Sequence, residues 1–143
     1  MKPILLAAGA LLFSTLTCAQ APAPGTLEVA LAGVRSAAGT LRVSLYREQD
    51  AFRKEAQAFR FAQAPAHAGA VSVRFEALPP GRYAVMAYHD ENANDKLDLR
   101  MGMFPLEGYG LSNNPKVFGP PAFADSAFEF VAPATRIDLQ LKY

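Results

Sequence analysis

The feature that most constrains this fold is a period of two. Leu27, Val29 and Leu31 share one face of an extended run, Gly33 breaks it, and Leu41, Val43 and Leu45 repeat the pattern with Arg42 and Ser44 opposite. Side chains alternate across a strand, so this spacing predicts half-buried β-strands. Ser36-Ala37-Ala38-Gly39 supplies a turn between the two runs, which are predicted to pair as a hairpin. Phe59 and Phe61 flank Arg60 in a third strand. In a fourth, Val71, Val73 and Phe75 alternate with Ser72, Arg74 and Glu76, and 65–69 separates the two.

Leu78-Pro79-Pro80-Gly81 predicts a type II turn, in which Pro80 presets φ and Gly81 accepts the positive φ that follows. It leads into 82–89, where Tyr83, Val85 and Ala87 oppose Ala84, Met86 and Tyr88. Apolar residues on both faces predict a central strand covered on both sides. Two further strands are expected at 127–131, with Phe128 and Phe130 inward, and at 135–142, with Ile137, Leu139 and Leu141 inward. Only 50–58 (DAFRKEAQA) has helix-forming composition, enough for one or two turns capped by Asp50. The expected class is all-β: an antiparallel sandwich of seven short strands with one long loop and at most a short helix.

The first residues do not share this alternating pattern. Lys2, the apolar run 4–16 and the small residues Thr17 and Ala19 read as a secretory signal, residues 1–19, cleaved before Gln20. Cutting after Ala21 would place Pro22 behind the scissile bond, where it hinders the peptidase. The run is too short for a spanning helix, which needs about 20 residues. Cys18 invites a lipid-anchor reading, but Thr15-Leu16-Thr17 lacks the expected Leu-x-small pattern. With Cys18 removed, the exported chain has no cysteine and is expected to be held by its core, with or without a bound metal, and by no disulfide. Residues 20–25 (QAPAPG) form a Pro/Ala linker expected to be poorly ordered, and 26–143 form one domain.

Apart from Lys2, thirteen basic side chains balance thirteen acidic ones, which gives no electrostatic footprint for nucleic acid or an anionic membrane. The local balance differs. Between Asp90 and Asp98, four acids face one Lys96. Calcium takes six to eight oxygens, and acidic or amide side chains at every second position supply them. Asp90, Asn92 and Asn94 stand at positions 1, 3 and 5 of such a count, the Lys96 carbonyl at 7 and Asp98 at 9. Leu97 is expected to tuck into the core. Asp95 replaces the glycine expected at position 6, and Met101 replaces the bidentate Glu at 12. Glu107 can substitute if the chain folds back. The metal-free reading also stands, because Asx-rich turns hydrogen-bond their own backbone.

Two other constellations carry candidate chemistry. His89, Asp90 and Ser112 are the ingredients of a hydrolytic triad. No G-x-S-x-G elbow surrounds Ser112, however, and adjacent residues of a strand point to opposite faces, so His89 reads as structural. Phe104, Tyr109 and Phe118 lie on the long connection 99–121, which exceeds the usual limit of about 12–15 residues for a loop without structure. They read either as a platform for an envelope protein or glycan, or as plugs pinning the loop to the sandwich, and plugs are the preferred expectation.

LPPGRYAV, HDENANDKLD, EGYGLSNN and FGPPAFADSAF, in that order, resemble the successive signatures of the secreted bacterial proteins catalogued as domain of unknown function 2141. The similarity runs from Leu27 to Tyr143. It implies export and a transthyretin-like or immunoglobulin-like fold, and it matches Asp90, Asn92, Asn94, Asp98 and Glu107 position by position. The family usually carries Gly where this chain has Asp95, and it has no assigned activity. The combined expectation is a non-catalytic, monomeric, periplasmic or secreted module without a membrane span. It binds calcium through Asp90, Asn92, Asn94, Lys96, Asp98 and Glu107. The alternatives are a metal-free accessory sandwich and a small hydrolase.

Overall fold

The computed structural model describes residues 20–116 and 118–143; the expected signal segment and Cys18 lie outside them. Residues 20–24 are exposed and carry no regular structure. The strands are β1 (Gly25–Val34), β2 (Thr40–Tyr46), β3 (Arg60–Pro65), β4 (Gly69–Leu78) and β5 (Gly81–Asp90). They continue as β6 (Leu99–Arg100), β7 (Phe104–Pro105), β8 (Tyr109–Leu111), β9 (Ala127–Phe130) and β10 (Ala134–Gln140), with a single turn of helix, α1, at Phe123–Ser126.

The chain is all-β, and its strands sort into two larger sheets. One has the order β10-β1-β4, and the other β3-β2-β5-β8, with β9 also on β5. The first two strands are not a hairpin. The turn at 36–39 is present, but it carries the chain from one sheet to the other, so β1 pairs with β4 and β10 while β2 pairs with β3 and β5. Nor are all pairs antiparallel. β9 belongs to one sheet and β10 to the other, and the crossing through 131–133 brings β10 in parallel to β1. The Thr26 N–H donates to the Pro133 carbonyl at 2.9 Å and sets that register.

The alternating residues do what their period demands. Leu27, Val29 and Leu31 of β1 meet Leu41, Val43 and Leu45 of β2, Val73 and Phe75 of β4, and Leu139 of β10 in one core shared by both sheets. Each fully buried aliphatic side chain there contributes about 1.5–3 kcal/mol. β5 is the central strand expected from its two apolar faces. Tyr83, Val85 and Ala87 enter that core, while Ala84 joins Tyr46, Phe52, Leu111 and Phe123 in a second cluster on the opposite face.

Side chains close the gaps between the sheets. Arg60 on β3 donates to the carbonyls of Glu76 (2.9 Å) and Ala77 (3.4 Å) at the end of β4. Past β8, the Asn114 carboxamide donates to the Asp138 carbonyl at 2.9 Å and accepts the Gln140 N–H at 2.7 Å along β10.

Two local expectations are corrected. Segment 50–58 forms only a 3-10 turn, Glu55–Gln57, with Lys54 and not Asp50 at its N-cap. Arg53 at φ 68° interrupts any longer helix, and Phe52 is drawn instead into the second cluster, edge-on to Tyr46 and Phe123. At the 78–81 corner the left-handed residue is Ala77, φ 51°. Gly81 lies at φ 155°, far from the value of about +80° that a type II turn requires.

Candidate functional site

β5 delivers its last residue, Asp90, fully buried to the start of loop 90–98. Its carboxylate accepts two backbone N–H groups, from Asn94 (3.0 Å) on Oδ1 and from Asp95 (2.9 Å) on Oδ2. The Asn92 side-chain oxygen also accepts the Asn94 N–H at 3.1 Å, and the Asn94 oxygen accepts the Lys96 N–H at 3.1 Å. The alternate side chains therefore coil inward and hold their own backbone, as Asx turns do.

Asp98 closes the ring. Its carboxylate accepts the carboxamide of Asn92 at 2.6 Å and that of Asn94 at 2.9 and 3.0 Å. The amide donors of Asn94, then of Asn92, hold the Asp98 carboxyl below its usual range, and the charge of Lys96 acts in the same direction. Asp90, Asn92, Asn94 and Asp98 are thus brought together.

Glu107 folds back to the loop, as its proposed role requires, and is buried there. Oε1 accepts the Glu91 N–H at 3.0 Å and Oε2 accepts the Asp98 N–H at 3.1 Å, so one carboxylate clasps both ends of the loop. Asp95 occupies the left-handed region at φ 63°, which costs a non-glycine residue about 1–2 kcal/mol. Its carboxylate meets Arg42 at 2.5 Å, an interaction that glycine cannot make.

The donor set suits a hard cation. A carboxylate oxygen holding one N–H keeps a second acceptor site, as does each carboxamide oxygen. Among the described residues no group of three or more His, Cys, Asp or Glu comes together to hold a metal. An ion in this loop therefore depends on the amide and backbone oxygens of Asn92, Asn94 and Lys96 as well as on Asp90 and Asp98. Oxygen donors of this mixed kind fit calcium and not a thiolate- or imidazole-seeking metal.

Sequence reasoning missed what surrounds the loop. Gly39, at φ 65°, packs so closely that a β-carbon there would overlap the Asp90 carbonyl oxygen. Arg42, read as simply outward, is buried between Glu55 (2.5 Å), Gln63 (3.3 Å) and Asp95, with its guanidinium over the Phe61 ring. Tyr88 donates its hydroxyl to Glu55 at 3.0 Å. The side-chain bond to Glu55 raises the Arg42 pKa, and burial, then the Glu55 charge, raises that of Tyr88. The register that sets Arg42 opposite Tyr88 was the usable signal, and it requires knowing that β2 pairs with β5.

His89, Asp90 and Ser112 do not form a triad. The His89 ring nitrogens bond the Tyr143 hydroxyl (2.8 Å) and the Ala38 carbonyl (2.7 Å). The Ser112 hydroxyl donates to the Ser126 carbonyl and accepts the Val85 N–H at 2.9 Å. Both are buried structural groups. The aromatic residues of the long connection do not act as a set of plugs: Phe104 and Phe118 are exposed, and only Tyr109 is partly buried, its backbone paired to Lys142. Leu97, expected to be buried, is half-exposed.

The family described as uncharacterized protein conserved in bacteria (DUF2141) matches residues 29–138. Comparison with curated proteins and with solved structures returns no match.

Proposed function

We propose that the chain, which belongs to the bacterial family DUF2141, is an exported, non-catalytic β-sandwich module of the cell envelope whose loop 90–98 binds one calcium ion. In this reading the two sheets form a seven-stranded immunoglobulin-like or transthyretin-like sandwich, and the supplementary strands β6, β7 and β8 belong to the long connection. Residues 1–19 are the export signal, and the module works in the periplasm or outside the cell.

One observation carries the calcium reading: the Asp98 carboxylate and the carboxamides of Asn92 and Asn94 converge on one another, with Asp90 buried at the same loop's root. Asp90, Asn92, Asn94 and Asp98 would hold the ion with the Lys96 carbonyl, while Glu107 fixes the loop ends and can lend an oxygen. The shell carries few formal charges, so the affinity belongs to the weak range of extracellular modules, on the order of 10⁻⁴–10⁻³ M. A second reading, a metal-free accessory sandwich, is supported by the completeness with which the loop bonds itself.

Thermal unfolding with excess calcium and with chelator separates the two. At about one hundred times the dissociation constant, calcium adds roughly 2.7 kcal/mol to wild-type stability. Asp98→Asn, which removes a charged ligand at unchanged side-chain size, should lose most of that gain, measured against the variant's own melting in chelator. Identical melting of wild type in calcium and chelator defeats the metal reading. The mass of the exported protein tests the other part, with a chain starting at Gln20 expected.

A further inference from the structure

Tyr109 and Lys142 exchange two backbone hydrogen bonds, each 2.9 Å, in an isolated antiparallel bridge. The bridge ties β8, at the edge of one sheet, to the chain just past β10, at the edge of the other. A pair that exchanges both bonds carries its two side chains side by side on one face, so the Tyr109 ring and the Lys142 stem stand together. The floor beneath them is fixed. Asn114 holds β10 by the Asp138 carbonyl and the Gln140 N–H, and a β-carbon added at Gly110 would come within 3.0 Å of the Gln140 carbonyl oxygen. The long connection then brings Lys116 and Phe118 to the same floor, and the resulting cleft has a volume of about 240 Å³.

We propose that this cleft binds an anionic saccharide, a sugar ring carrying a carboxylate or phosphate group. Charge argues for the anion. Lys116 and Lys142 both line the cleft, both are exposed, and neither enters an ion pair among the described residues. No acidic side chain is among the lining residues. The carboxylates nearest to them in sequence are engaged elsewhere: Glu107 with the Glu91 and Asp98 N–H groups, Asp125 with the Ala122 N–H, and Asp138 with Arg136. Lysine ammoniums are compact point charges that suit an oxyanion of either kind. The walls argue for a sugar body. Tyr109, Phe118, Pro115 and Pro121 offer flat apolar surfaces to the C–H face of a ring. The Gln140 side-chain nitrogen is spent on the Ala32 and Leu141 carbonyls, which leaves its oxygen, with the Tyr109 hydroxyl, to meet sugar hydroxyls. The volume lies below the range of about 300–1,000 Å³ of drug-sized sites, so the cleft takes one ring or the end of a longer glycan.

The experiment titrates the purified, isotope-labelled chain from Gln20 to Tyr143 with galacturonic acid, glucose 6-phosphate, glucose, inorganic phosphate and triglutamate, reading amide chemical shifts. Chelator is present throughout, so calcium bridging cannot account for binding and the result is independent of the calcium reading. One or both acidic sugars should give saturable shifts at Gly110, Lys116 and Gln140, and the one that binds names the oxyanion. Glucose should bind at least about tenfold more weakly, because it lacks the charge. Phe118→Ala and Lys142→Gln should each weaken acidic-sugar binding at least about threefold at an unchanged melting temperature, because both side chains are exposed. The absence of saturable shifts at those amides with both acidic sugars overturns the proposal, as does glucose binding as tightly as they do. Undiminished binding by both variants also overturns it, since the ligand would then sit elsewhere. If inorganic phosphate or triglutamate matches the acidic sugars, the cleft is a bare charge contact or a peptide site and the saccharide proposal is wrong.

Discussion

Glu107 holds Asp98 by its backbone: Oε2 accepts the Asp98 N–H at 3.1 Å while Oε1 takes the Glu91 N–H at 3.0 Å. A single side chain thus clasps both ends of the loop. Glu107→Gln is expected to destabilise the protein in chelator as well as in calcium. Glutamine offers one oxygen to two buried donors and turns an N–H toward the other, a mismatch costing about 1–3 kcal/mol. Chemical denaturation in both media checks this; a loss seen only with calcium would make Glu107 a ligand and not a clasp.

Gly39→Ala should be among the most damaging single substitutions. The backbone there is left-handed, and the added methyl overlaps the Asp90 carbonyl, which the β2–β5 ladder prevents from moving away. Strain and overlap together cost roughly 2–5 kcal/mol. Gly102→Ala, also left-handed but in open space, should cost only the conformational part. Equilibrium unfolding of the two variants side by side measures the difference.

Acid sensitivity should centre on Glu91. The hydrogen bonds of Arg35, followed by its charge, outweigh the opposing effect of burial and lower the Glu91 pKa. A depressed carboxyl pKa contributes stability that is fully present above the unfolded value of about 4.3 and disappears as pH falls through the lower folded value. Glu91→Gln should therefore be less stable than wild type at pH 7, with the gap closing below about pH 4. Melting curves across that range decide it, and a gap that persists at low pH would assign the loss to packing.

The strands were legible because their period is local, whereas their partners were not. Ser36 to Gly39 reverses the chain, and nothing in a turn says whether the next strand pairs with the last or joins the facing sheet. Leu27, Val29 and Leu31 look the same in either case. The two-faced apolar pattern of 82–89 was more informative, because a strand covered on both sides has few places to be. In the loop, Asp90, Asn92, Asn94 and Asp98 were visible as a group because alternate spacing alone makes them converge. Glu107 was found as a stand-in ligand, but its hold on the 91 and 98 amides depends on backbone geometry that no residue type announces. Phe104 and Phe118 were misjudged for a different reason. Apolar character predicts burial only where a core lies within reach, and both Phe104 on the hairpin and Phe118 beyond it remain exposed.

The closure of the outer strands limits how another polypeptide can bind. An exposed sheet edge ordinarily recruits an extended peptide or a second copy by continuing the hydrogen-bond ladder. Here Arg60 occupies two carbonyls at the end of β4, and Asn114 matches a donor and an acceptor of β10 as a neighbouring strand would. An incoming strand would have to displace these groups to bond at those positions. Strand addition at the Glu76–Ala77 end of β4 and along Asp138–Gln140 of β10 therefore competes with two side chains that already hold those groups.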